Sequence, residues 1–210
     1  MFDPLWVNTH NTAMPRVSEA TKAEHRQRLL DAAAAEFAAK GLDGARIDDI
    51  SLAAGLAKGT VYNYFDSKLD VFRAVIEEWT RRSSDARVSV ADDAPVAERL
   101  RAVVVADMAA AKEMEEFART AFREVISAPV DVVEQLLPAF DPVDAELRRV
   151  IEQAQQRGEL RSDRTAEELT RMFLTLVNGL MLEHWMPGSS IALDDIADLA
   201  VEYYLDGARS

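Results

Sequence analysis

Apolar residues recur along most of this chain at separations of three and four, the pattern of helices that bury one face. From Thr21, the run TKAEHRQRLLDAAAAEFAAKG places Leu29, Leu30, Ala33, Ala34 and Phe37 on such a stripe, and Lys40 with Gly41 ends it. Two short apolar segments, IDDISLAA and AKGTVYNYF, follow with only Gly55 and Leu56 between them, and KLDVFRAVIEEWTRR then predicts a longer amphipathic helix. Further on, Pro95 opens the run VAERLRAVVVADMAAAKEMEEFARTAFREVI, Asp141 and Pro142 form a cap and first-turn pair, and Gly158 closes VDAELRRVIEQAQQRG. The last two helices are expected over about 165–185 and 193–205, parted by the turn-forming cluster Pro187, Gly188, Ser189 and Ser190. No alternating strand pattern of useful length competes, so the expected fold class is all-α, with about nine helices.

The two short segments carry the most specific geometry. Ile47, Ile50, Ser51 and Ala54 share one face of the first, and Val61 and Phe65 repeat that spacing beyond the turn. Gly55 tolerates the positive φ that a sharp helix-to-helix turn needs, and the small Ser51 lets the second helix cross close above the first. This is helix-turn-helix geometry. With Leu56, Val61 and Phe65 turned inward, Lys58, Thr60, Asn63 and Tyr64 are expected on the outer face, where Lys and Tyr can bond phosphates and Thr and Asn can reach base edges. Gly59 adds no side chain to hold that helix away from DNA.

The stretch AAAAEFAAKGLDGARIDDISLAAGLAKGTVYNYFDSKLDVFRAVIEE resembles the N-terminal domain of the tetracycline-repressor (TetR) family over roughly residues 22–80. The resemblance rests on Phe37 with Lys40 and Gly41, on Ile50, on Gly55, on the run from Lys58 to Tyr62, and on Tyr64, Phe65 and Lys68. It implies that Tyr62 and Lys68 hold phosphates and that Thr60, Asn63 and Tyr64 face bases. Where Thr and Ser are frequent in the family, this chain has Arg46 and Ala57, both at helix starts where a hydroxyl would cap; Arg46 is expected to contact phosphate instead. The first 13 residues show no helical period and carry an early proline, so residues 1–20 read as a flexible arm or an upstream start; after them the implied organisation is a three-helix DNA-binding domain over 21–68 and a helical bundle over 69–210 that senses a ligand and dimerises.

A formal charge of −13 argues at first against nucleic acid, since phosphate neutralisation dominates DNA affinity. Divided, the charge says otherwise: residues 1–80 hold 9 Lys+Arg against 12 Asp+Glu, whereas residues 81–210 hold 15 against 25. The acidity lies mainly outside the proposed DNA-binding domain. Lys22, His25, Arg26 and Arg28 give the first helix a basic start, with Arg16 in the arm, although most such charges are simply solvated.

In the penultimate helix Leu169, Met172, Phe173, Leu176, Leu180 and Trp185 form a wide apolar surface, and Gly179 permits close approach; Ile196, Leu199, Ala200, Tyr203 and Tyr204 do the same on the last helix. Some of these must be monomer core. The interface is expected to use Leu169, Met172, Phe173, Leu176, Gly179, Leu180, Ile196, Leu199 and Tyr203, because two-fold DNA sites need two-fold proteins. Ligand-pocket candidates are Met108, Met114, Phe117 and Phe122 together with His184 and Trp185.

Enzymatic function is not expected. There are no cysteines, no phosphate-cradling glycine loop and no metal cluster, and only His10, His25 and His184 supply imidazoles. Glu183 beside His184 makes a poor acid–imidazole pair because adjacent helix residues point about 100° apart. No cofactor or metal is expected, and with no apolar run of about 20 residues no membrane span is either. The resemblance therefore implies a cytoplasmic, homodimeric regulator of double-stranded operator DNA, by family habit a repressor released by a small-molecule effector; an activator is the alternative, since helix-turn-helix docking fixes where the protein sits and not what it does to polymerase. The competing reading is a helical protein-interaction module without DNA binding, which leaves the Lys58 to Lys68 pattern unexplained; salt-dependent binding to duplex DNA separates the two.

Overall fold

The computed structural model describes residues 18–87 and 90–208, so most of the expected arm, with Arg16 and His10, lies outside the described residues. Ser18 starts α1 (Glu19–Gly44) by accepting the backbone N–H of Thr21 at 3.1 Å, and Leu29, Leu30, Ala33 and Phe37 form its buried stripe. The helix is broken at Gly41, whose φ of 70° is open to glycine at little cost. Next come α2 (Ile47–Ala53), a single 3-10 turn over Thr60–Asn63, and α3 (Lys68–Ala86), which Ser67 caps through the Asp70 N–H at 3.0 Å.

The expected run after Pro95 is interrupted. It forms α4 (Val96–Glu113) and α5 (Glu115–Ser127), with Met114 between them at a non-helical φ of −121°. Glu115 and Glu116 then occupy the first turn of α5, where acidic groups suit the helix dipole. The chain continues through α6 (Val130–Leu136), a 3-10 turn over Leu137–Phe140, α7 (Asp141–Gln156) and α8 (Ala166–His184). Thr165 and Glu168 cap α8 reciprocally, and a 3-10 turn over Leu193–Asp195 leads into α9 (Ile196–Ala208). Among the described residues there is no strand.

Burial sorts into two cores. The smaller gathers the α1 stripe, Ile47, Ile50, Val61, Phe65 and the first half of α3, with Phe37, Phe72 and Phe117 in mutual ring contact. The larger is built on α4, which packs against α3, α7 and α9. The expected border at 68/69 falls at the first residues of α3, a helix whose Val71, Phe72 and Val75 belong to the small core and whose Trp79 belongs to the large one. Phe117 and Ala121 of α5, with Leu136 and Ala139 beyond it, close the small core from the C-terminal side. The N-terminal head is therefore completed by later parts of the chain.

Candidate nucleic-acid interface and effector cavity

The head is assembled as its spacing predicts on the buried side. Ile47, Ile50, Ser51, Ala54, Val61 and Phe65 are all buried, and Gly55 makes the turn at a φ of 68°. A tie across the head fixes that turn: the Arg28 guanidinium of α1 donates to the carbonyls of Ala54 and, at 3.3 Å, Gly55. Arg26 lies over the Phe65 ring at 5.6 Å from its centroid. These α1 cations therefore brace the helix-turn-helix from within the protomer.

The outer face differs from the expectation in three places. The second element is a 3-10 turn rather than an α-helix, because Gly59 takes a φ of 82° immediately before it and Ala57 offers no capping hydroxyl. Tyr64 is turned back toward α1, half-buried, with its hydroxyl 3.3 Å from His25 Nδ1, so it is not an outward base-facing group here. The Lys68 ammonium donates to the carbonyls of Asp43 at 2.8 Å and Ala45 at 3.2 Å, tying the start of α3 to the end of α1. One of its three donors is left for a phosphate.

What remains outward is coherent. Tyr62 is 60% exposed, Asn63 is exposed beside it and Thr60 is half-buried. Lys58 is exposed with its ammonium 3.0 Å from Asp48, and Arg46 is exposed at the start of α2, where its side chain makes no capping bond. Lys40 is drawn between Glu36 at 2.7 Å and Asp49 at 3.1 Å. The Lys58 pair is largely exposed and therefore weak, so phosphate can displace Asp48 at modest cost, whereas Lys40 is held more firmly by Glu36, whose side chain is only 14% exposed.

In the larger core, a cavity of about 190 Å3 opens between α3, α4, α5, α7 and α8. Of the six expected pocket residues only Phe122 lines it. Met108 and Phe117 are buried, the first in the large core and the second between the rings of Phe37 and Phe72, while Met114 is partly buried against both cores. His184 donates from Nδ1 to the Ile191 carbonyl at 2.7 Å with Nε2 3.2 Å from Glu115, which ties α8 to α5. Trp185 stacks edge-on against Phe122, 5.8 Å between centroids, and so backs the wall without forming it. Asp107 and Asp144, neither of which the sequence singles out, are the acidic groups of the lining, and burial pushes the Asp107 carboxyl up to about 6, against a smaller opposite pull from Arg87.

The α8–α9 surface also divides. Phe173 and Ile196 are fully buried within the protomer and belong to its core, as the need to bury part of such a stripe requires. Met172 and Tyr203 are 65% and 59% exposed, and with Leu169, Leu176, Gly179 and Leu180 they line an open, mainly apolar groove of about 850 Å3. Leu199 is half-buried on α9. An added Cβ at Gly179 would meet nothing within 4 Å inside the protomer. No helix of the described residues is long and apolar enough to cross a membrane.

The model for bacterial regulatory proteins of the tetR family matches residues 29–75, and the model for the tetracyclin repressor-like C-terminal domain matches residues 93–208. The transcriptional regulator SrpR of Pseudomonas putida is 28% identical over 81% of this chain and 79% of its own length. The transcriptional repressor KstR2 of Rhodococcus jostii is 26% identical over 95% of this chain and 98% of its own. Among solved structures, FadR of Bacillus subtilis in complex with stearoyl-CoA superposes with a TM-score of 0.74 at 18% identity, covering 86% of this chain and 98% of FadR. SmeT, the repressor of a multidrug efflux pump of Stenotrophomonas maltophilia, gives 0.67 at 22% identity over 88% and 90%. At these identities the structural likeness speaks for the fold.

Proposed function

The chain belongs to the tetR family of bacterial regulatory proteins, DNA-binding regulators of transcription rather than enzymes, and from that premise we propose that it is a repressor whose hold on operator DNA is released by a small molecule in the 190 Å3 cavity. Repression is the role in the names of its relatives KstR2 and BepR, the latter from Brucella suis and 27% identical over 82% of this chain and 86% of its own length. Tyr62 and Asn63, with Lys58, Arg46 and Thr60 around them, meet the major groove, and Lys68 adds one phosphate contact to its structural tie. The protein acts in the cytoplasm as a homodimer through the groove of α8 and α9, which gives two heads for a two-fold site.

The observation that carries the release mechanism is the double use of α5. Phe117 and Ala121 close the core of the head, whereas Phe122 and Val125 on the same helix line the cavity. Leu136 and Ala139 likewise serve the head while Leu137 and Phe140 line the cavity. Glu124 of α5 also accepts the Leu42 N–H at 3.2 Å, just past the break in α1. A ligand that displaces α5 by even a fraction of a turn cannot leave the head where it was, because packed cores respond by discrete shifts. Binding and release are then linked reciprocally: the ligand weakens DNA, and DNA weakens the ligand.

Titration of operator and scrambled duplex at several salt concentrations tests the DNA half of the proposal. Asn63→Ala should cost about 1–3 kcal/mol against operator and leave scrambled duplex nearly unchanged. Lys68→Ala should weaken both duplexes alike and also lower the unfolding midpoint, since it unties α3 from α1. Unaltered operator affinity in both variants would reject this face as the one that reads DNA.

A further inference from the structure

We propose that the cavity between α3, α4, α5, α7 and α8 takes a small organic cation carrying a single ring, with the Asp107 carboxylate as its counter-charge. The inference rests on the effector reading above and narrows it to a chemical class. Two of the residues lining the cavity are charged, Asp107 and Asp144, and both are acidic. Asp144 stands exposed at the rim. Asp107 is half-buried at the cavity wall, and its nearest polar neighbours leave it short of partners: the Ser83 hydroxyl and the Trp79 indole N–H lie beside it and favour its charged form, yet neither completes a hydrogen bond. Trp79 itself is only 5% exposed.

The charged groups around Asp107 do not resolve this. Arg87 favours its ionised form without hydrogen-bonding to it: its Nη1 is drawn to Glu146 at 3.3 Å and its buried Nε and Nη2 have no partner, while Asp144 acts in the opposite direction. Asp144 in turn feels Asp141 as a like charge and Arg148 as an opposite one. A carboxylate withdrawn from water without a full partner is costly, and a bound cation offsets that cost. The walls add to the selection, because Trp79, Phe122 and Phe140 line the cavity with aromatic rings, the side-chain type that attracts a desolvated cation. A neutral ligand leaves Asp107 as it was, and an anion meets two like charges.

Size sets the rest. An apolar cavity of about 150 Å3 accepts benzene, so 190 Å3 holds one ring and a short charged substituent.

The test uses the full chain and three probes of nearly one shape: benzylamine, benzyl alcohol and benzoate, titrated by calorimetry at pH 7.5. Benzylamine should bind at least tenfold more tightly than benzyl alcohol, with benzoate weakest. Asp107→Asn keeps the shape and removes the charge, so it should erase the preference for benzylamine while benzyl alcohol binds within about twofold of its wild-type affinity; its unfolding midpoint verifies that the variant is folded. Benzyl alcohol or benzoate binding as well as benzylamine, a preference that survives in the variant, or no binding by any probe at millimolar concentration would each overturn the inference. Operator titration with the same probes keeps the two readings apart. Benzylamine that binds through Asp107 without releasing operator upholds the cation site and rejects the effector role. Operator released by neutral or anionic compounds in wild type and Asp107→Asn alike rejects the cation site and upholds the effector role.

Discussion

Asp107 shows how one side chain can carry a cost for the whole fold. In the unfolded chain its carboxyl titrates near 3.8, and in the fold burial raises it to about 6. Between these values the folded state keeps a proton that the unfolded state has released; above 6 the folded state must hold the charge in poor surroundings. Stability should therefore fall as pH rises from about 4 through 6 and then level, the lost amount being on the order of 2–3 kcal/mol. Asp107→Asn removes the penalty, so urea unfolding should find it more stable than the parent at pH 7.5 by up to that amount and equal to it near pH 4. Equal stability at pH 7.5 would mean that the site is better solvated than its burial indicates. No sequence pattern marks this residue, which reads as one polar position on an apolar helix until Trp79 and Ser83 of α3 are brought beside it. Lys68 and Tyr64 were legible as part of the head, but their inward ties to Asp43, Ala45 and His25 depend on where α1 lies.

At the scale of the element, the two glycines of the head make separable demands. Gly59 has a φ of 82° and space around it, so an added Cβ meets nothing within 4 Å. Gly59→Ala then bears only the conformational cost of a left-handed residue, about 1–2 kcal/mol. Gly55, at a φ of 68°, would place its Cβ 2.6 Å from Arg28 Nη2 and drive the guanidinium off the carbonyls of Ala54 and Gly55. Gly55→Ala should be destabilised by that conformational cost and by about 1 kcal/mol more for the hydrogen bonds, which urea unfolding of the two variants side by side would resolve. Equal losses would show that the Arg28 tie is dispensable. The turn at Gly55 is readable because glycine between two apolar segments is a strong signal; at Gly59 the sequence shows only a small residue, and the α-helix expected there is a 3-10 turn. The break at Met114 escaped because the apolar spacing of α4 runs on into α5 without change of period, leaving only the acidic pair Glu115 and Glu116 to mark a new helix start.

For the whole molecule, the all-helical architecture was legible because spacings of three and four persist through nearly every segment. The cavity was not, since its lining comes from α3, α4, α5, α7, α8 and the turn after α6, and no local pattern tells which of many apolar residues face a void. The surface of α8 and α9 lies between these cases: the stripe is plain in sequence, but Phe173 and Ile196 differ from Met172 and Tyr203 only in the direction they take. The groove they border has an apolar floor and the charges Arg161, Arg164, Arg171 and Glu168 along it. An isologous pairing presents the same patch twice, so each Glu168 can meet an arginine of the opposite copy while the floors pack together. Met172 and Tyr203 are exposed in the protomer, so Met172→Glu with Tyr203→Glu spares its core and places four carboxylates in the seam of a dimer. Sedimentation should shift from dimer to monomer, circular dichroism should stay helical, and affinity for a two-half-site operator should fall toward that for a single half-site. A double variant that still sediments as a dimer would put the contact between protomers elsewhere on the molecule.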